Sequence, residues 1–180
     1  IISAFSSEEA ASHFCPRPIP RDAVDLSVRG AIQGLPDPAY YSRALEVGDI
    51  PFHPNHWTMQ PRSRRFVDPA AMPTAARSFR TLSWDKPSPT VAYGHREIHV
   101  HPSGRRRLSI FEAMRLQGFP ESFVIEGTLS QQVEQVSNAV PPPLARALAE
   151  AAAEALATWA EVGQGSRADE ERHLLQMSVS

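Results

Sequence analysis

Cysteine is almost absent from this 180-residue chain. Cys15 stands alone, which excludes an internal disulfide framework and any thiolate-rich zinc site, and suits a reducing cytoplasm. It lies in a proline-rich stretch with no helix start to lower its pKa, so a structural or incidental role is expected rather than a nucleophilic one. Long hydrophobic runs are also missing; none approaches the roughly 20 residues of a membrane-spanning helix. The opening residues, IISAFSSEEAASHF, have neither an initiator methionine nor the basic front of a signal peptide. The chain therefore reads as a fragment of a longer protein, with no membrane partner. Net charge is slight, at −2, which by itself argues against a polyanion binder.

The distribution of charge says more than its sum. Residues 51–110 carry ten cations (Arg62, Arg64, Arg65, Arg77, Arg80, Lys86, Arg96, Arg105, Arg106, Arg107) against Asp68, Asp85 and Glu97, a balance of +7 that leaves −9 for the rest. A basic middle between acidic flanks is the pattern of a phosphate-contacting module inside a larger protein. With 42% hydrophobic residues the chain has enough apolar mass for one core.

In order along the chain, residues 1–29 give few periodic cues, and Pro16, Pro18 and Pro20 predict an extended connector. Residues 30–78 are so dense in Gly and Pro that only short elements fit between turns. Within them PFHPNHWTMQPRSRRF mixes hydrogen-bonding side chains, an aromatic and cations. His53 and His56 are spaced like metal ligands but have no third ligand nearby, so no metal is expected. Thr90–Tyr93 and Glu97–His101 alternate as strands around a Gly94-His95-Arg96 reversal, predicting a short hairpin. Ser109-Ile110-Phe111-Glu112 is a capping box that opens a helix over FEAMRLQ, ending at Gly118, with Phe111, Met114 and Phe119 turned inward. Thr128 or Ser130 starts a further helical turn through QQVEQV. The run LARALAEAAAEALATW, from Leu144 to Trp159, is a strong helix former entered through Pro142 or Pro143. Its apolar face holds Leu144, Leu148, Ala151, Ala152, Ala155 and Trp159, with Arg146, Glu150 and Glu154 opposite. Residues 163–180 read as a flexible tail.

Three blocks in order carry a family resemblance: Arg80-Thr-Leu-Ser with Lys86-Pro87-Ser88-Pro89-Thr90-Val91, then Arg107-Leu108-Ser109 through Glu112 to Arg115-Leu116-Gln117-Gly118-Phe119-Pro120, then Ser137-Asn138-Ala139-Val140-Pro141-Pro142. Together they resemble the C-terminal third of DNA cytosine-5 methyltransferases, including that family's ninth and tenth conserved blocks. The likeness is specific over 80–157 and loose over 30–79. It implies an α+β fragment: a small loop-rich target recognition domain with short β-hairpins, and helices that complete a Rossmann-like methyltransferase domain. The implied order is a connector (1–29), a recognition region with the ninth block (30–107), a helical tenth-block segment (108–162) and the tail.

The resemblance further implies transfer of a methyl group from S-adenosylmethionine to carbon 5 of a cytosine flipped out of duplex DNA, through a covalent cysteine adduct. The family's nucleophilic cysteine follows a proline, whereas Cys15 precedes Pro16, so no catalytic residue is expected here. The glycine-rich cofactor loop and the catalytic glutamate block are likewise not found in these residues. A catalytic half, in the same longer chain or a separate subunit, is the implied partner, in the cytoplasm at the nucleoid of a bacterial restriction-modification system. Asn138 matches the asparagine that borders the methionine end of the cofactor, with Ala139 and Val140 on the same turn. Arg80, Pro89 and Thr90 match the block that holds the recognition domain against the catalytic one. For DNA, Arg62, Arg64, Arg65, Arg105 and Arg106 are the expected phosphate contacts, and Asn55, His56 and Gln60 the expected base readers. A non-catalytic DNA-binding or regulatory module derived from such an enzyme remains the alternative.

Overall fold

The computed structural model describes residues 8–18, 25–62, 64–68, 80–89 and 99–177. Its elements are α1 (Glu8–Ser12), α2 (Val28–Ile32), β1 (Ala39–Tyr40), a 3-10 turn (Val47–Asp49), β2 (Trp57–Thr58), α3 (Arg64–Val67), α4 (Ile110–Leu116), α5 (Leu129–Asn138) and α6 (Pro142–Met177). They fall into two units, residues 20–142 and residues 1–19 with 143–180. The fold is a small α+β arrangement.

Within residues 20–142 the capping box forms as the sequence requires. The Ser109 hydroxyl accepts from the Glu112 backbone N–H at 3.0 Å, and the Glu112 carboxylate accepts from the Ser109 N–H at 2.7 Å. Two donors that a helix start leaves unpaired are thereby satisfied, and α4 begins at Ile110. Gly118, at φ 77°, ends it. α4 packs against α2, α5 and β2, and its residues feed two apolar clusters. One joins Ile110, Ala113 and Met114 to Ile50, Trp57, Ile125, Leu129 and Val136. The other sets Leu116 against Val28, Ile32, Leu82 and Leu108. At about 1.5–3 kcal/mol for each large aliphatic side chain removed from water, these clusters outweigh the local propensity of so short a helix.

α2 is tied to the ninth-block segment by its first turn: the Val28 and Arg29 N–H groups donate to the Lys86 and Trp84 carbonyls at 3.0 and 2.9 Å. β1 and β2 pair in parallel, Ala39 opposite Trp57 and Tyr40 opposite Thr58. The sequence reading places no strand at either position. A hairpin needs a tight reversal, and here the chain returns through residues 41–56 and their proline turns instead. The hairpin expected over Thr90–Tyr93 and Glu97–His101 falls mainly on 90–98, outside the described residues. Val100, within its expected second strand, bridges Thr81 in parallel and Arg107 antiparallel.

In the other unit, α6 admits Pro142 and Pro143 in its first turn, where a missing N–H costs nothing. Ala151 and Ala155 are buried and Leu148 and Ala152 half-buried, while Arg146, Glu150 and Glu154 are exposed, as the apolar face predicts; Leu144 and Trp159, at the two ends of that face, are exposed instead. Arg17 pairs with Glu154 at 3.1 Å on the surface, a contact worth little by itself. Two expectations change. The connector contains α1, and α6 continues through residues 163–177, where the sequence reads as a flexible tail. Among the described residues no helix is long and apolar enough to cross a membrane.

Candidate functional site

Asn55 and His56 lie in the interior, which corrects their expected role as base readers. Asn55 is fully buried; its side-chain amide donates to the Ile125 carbonyl at 2.7 Å and to Gln132 Oε1 at 2.9 Å, and its oxygen accepts from the Ile125 N–H at 2.9 Å. Trp57 Nε1 donates to the same Gln132 oxygen at 2.9 Å. Both ring nitrogens of His56 are engaged, with the Pro36 carbonyl at 2.8 Å and the Ser109 hydroxyl at 3.0 Å. No hydrogen-bonding edge is left to read a base. The residues that fix the fold around β2 are therefore Asn55, His56 and Gln132.

His53 sits beside them, its ring stacked on Phe111 at 4.1 Å, with Nδ1 accepting from the Asn55 N–H at 3.1 Å. Burial lowers its pKa from 6.5, with the backbone at Glu121 and Phe123 opposing and His56 reinforcing the shift. The folded chain thus favours neutral His53, so its contribution to stability is complete above pH 6.5 and is lost as pH falls through the folded pKa. The thermal midpoint should drop as the buffer is taken from about pH 7 to about pH 5, and His53→Gln should flatten that drop. An unchanged slope in the variant would assign the loss to other groups.

Arg106 is the second correction. It is buried and gives a two-pronged hydrogen bond to Glu112, Nη1 and Nη2 each 2.8 Å from a carboxylate oxygen, so it is not a phosphate contact. Asp37 approaches its Nε at 3.8 Å. His101 lies against the same pair, Nε2 3.9 Å from Glu112, and its pKa is lowered by burial first and by the Arg106 charge second. A fork of hydrogen bonds on one carboxylate that also caps α4 is a structural device.

The remaining cationic candidates divide. Arg62, Arg80, Lys86 and Arg105 are exposed, Arg105 on the turn closed by Gly104 at φ 72°. Arg64 and Arg65 stand in α3, but their side chains lie outside the described residues, as does all of Thr90. Gln60 is exposed and donates to the Tyr41 carbonyl at 3.3 Å. Pro89 is half-buried, and the Arg80 carbonyl accepts from the Val100 N–H at 2.9 Å.

The third of the resembling blocks lies at the end of α5. Thr128 caps the helix start, with Gln131 completing a second capping box. Leu129, Gln132 and Val136 face inward, while Gln131, Glu134, Gln135 and Asn138 line an open hollow of about 580 Å³ with Glu126 and Gly127. Asn138 is the last helical residue, and Ala139 follows in extended backbone at φ −69°, ψ 137°. Asn138 is exposed, Ala139 half-buried and Val140 56% exposed, so this turn presents an amide and an apolar side chain together. Among the described residues no three His, Cys, Asp or Glu side chains are grouped to hold a metal ion.

Along the chain the exposed Asn138 amide follows α5 and precedes the proline start of α6. Residues 48–154, more than half of the chain, match the C-5 cytosine-specific DNA methylase family, and the chain belongs to that family. Among its relatives is a putative type II methyltransferase, M.OihORF3336P of Oceanobacillus iheyensis, 42% identical over 48% of this chain and 20% of that protein. Type II methyltransferase M.AgeI of Thalassovita gelatinovora is 45% identical over 42% of this chain and 18% of its own length. DNA (cytosine-5)-methyltransferase CMT3 of Arabidopsis thaliana is 43% identical over 41% and 9%. The chain thus spans about a fifth or less of the length of these relatives.

Proposed function

We propose that this chain is the DNA-recognising and cofactor-closing part of a DNA cytosine-5 methyltransferase, working with a catalytic half that supplies the nucleophilic cysteine. The observation that carries the reading is Asn138: an exposed carboxamide at the end of α5, directly before Ala139 and Val140, inside the family match. S-adenosylmethionine, when bound, supplies a methyl group activated by its sulfonium. The turn fits such a ligand, which has both charged and apolar parts. Asn138 offers an amide donor and acceptor, and Val140 offers apolar surface. Orienting the donor and excluding water from it are the tasks of Asn138, Ala139 and Val140 in this reading.

Residues 30–107 then serve as the recognition region, with Arg62, Arg64, Arg65 and Arg105 at DNA phosphates and Gln60 as the remaining base reader. Arg80, Pro89 and Thr90 hold that region to the catalytic domain, whose Rossmann-like sheet the helices after residue 108 complete. The work is done in the cytoplasm, on nucleoid DNA.

The test joins or mixes this chain with its catalytic half and follows labelled methyl from S-adenosylmethionine into duplex DNA. Methylation at carbon 5 of cytosine is expected. Replacing Arg62 and Arg105 together by alanine should reduce the dependence of log affinity on log salt by about two. A well-folded complex that binds duplex DNA in a salt-sensitive way but transfers no methyl group would favour the regulatory module. One that does neither would sink both readings.

A further inference from the structure

The proline run after Asn138 leaves α5 with an unusual ending. The last four carbonyls of a helix have no partner within it and are ordinarily met by backbone N–H groups just beyond, often through a left-handed glycine. Here Ala139 continues in extended backbone, and Pro141, Pro142 and Pro143 have no N–H to give. The Val136 carbonyl is instead met from another helix: Gln117, at the end of α4, donates its Nε2–H to it at 2.9 Å. Val136 is fully buried and Gln117 is 9% exposed. The opposite atom of the same carboxamide, Oε1, is buried with no hydrogen-bond partner among the described residues. A buried acceptor left unpaired is unfavourable, so as a contribution to stability alone the side chain is a poor choice.

We propose that Gln117 is a positioning residue for the cofactor turn. Its amide fixes the last turn of α5 against α4 and so sets where Asn138, Ala139 and Val140 present themselves. Only its donor is used for this, and the unpaired oxygen is the cost of placing a donor there. The inference rests on the proposed function and adds to it a residue that does not touch the ligand.

The variant Gln117→Met keeps the length and removes both polar atoms. It loses the hydrogen bond to Val136 but also removes the unpaired acceptor, so the thermal midpoint is expected to stay within a few degrees of the parent. In the complex of the full chain with its catalytic half, calorimetric affinity for S-adenosylmethionine should fall about tenfold, and KM for it should rise to match with kcat little changed. Affinity for duplex DNA should be unaltered, and hydrogen exchange at the Asn138, Ala139 and Val140 amides should quicken. Parent and variant binding the cofactor equally would overturn the inference and leave the proposed function standing. A variant that loses its fold would also overturn it, since the carboxamide would then be structural. A parent complex that binds no S-adenosylmethionine would overturn both.

Discussion

Glu112→Ala is expected to lower the stability of the chain by about 3–5 kcal/mol, because it strands a buried guanidinium. Arg106 is 6% exposed, and both of its contacts at 2.8 Å end on Glu112. The same carboxylate accepts the Ser109 N–H, so the variant also loses half of the capping box at α4. That second loss is about 0.5–2 kcal/mol, and the uncompensated charge is therefore the larger effect. Urea unfolding followed by circular dichroism checks it. Restoring part of the loss with Arg106→Met in the same chain would confirm that the stranded charge is the cause; a single variant within about 1 kcal/mol of the parent would contradict it.

Asn55→Ala is the second large effect, expected at about 2–4 kcal/mol because two interior backbone groups lose their partners at once. The Ile125 N–H and carbonyl both bond the Asn55 side chain, and neither reaches water where Ile125 is 5% exposed. Gln132 loses one of the two donors on its oxygen but keeps Trp57. Equilibrium unfolding reads the stability, and DNA binding by the folded fraction separates the roles. A residue that reads a base would shift sequence preference at little cost in stability, whereas the interior role predicts the reverse.

What could be read from the sequence follows from the range of the interactions involved. The capping box at Ser109, the stop at Gly118, the cap at Thr128 and the proline start of α6 are local, set by residues within four positions of one another, and each is found where its residues predict. Asn55, His56 and Arg106 escape a reading of the sequence because polarity in a loop looks the same whether the partner is water or a distant backbone. The partners of Asn55 lie 70 and 77 positions away. One signal of that interior network is in the sequence. Gln132 falls between Leu129 and Val136 on the inward stripe of α5, and a glutamine on an apolar face implies a buried partner. The parallel pairing of β1 with β2 was not legible either, since two-residue strands have no period to read. The Asn138 turn was legible as a motif, and the structure adds its exposure and its neighbours.

The pairing of Arg106 with Glu112 also changes what a polyanion meets at a distance. Counted by letters, Arg106 is one of the ten positive charges between residues 51 and 110; in the folded chain it is cancelled inside the protein by a carboxylate just beyond that range. Seen from several ångströms outside, the two reduce to a small dipole, and its field decays faster than that of a lone charge. If the proposed function holds, the attraction of a duplex to this region rests on cations at the surface, among them Arg62, Arg80, Lys86 and Arg105. A charge tally taken from composition overstates the reach of this middle segment by at least that one hidden pair.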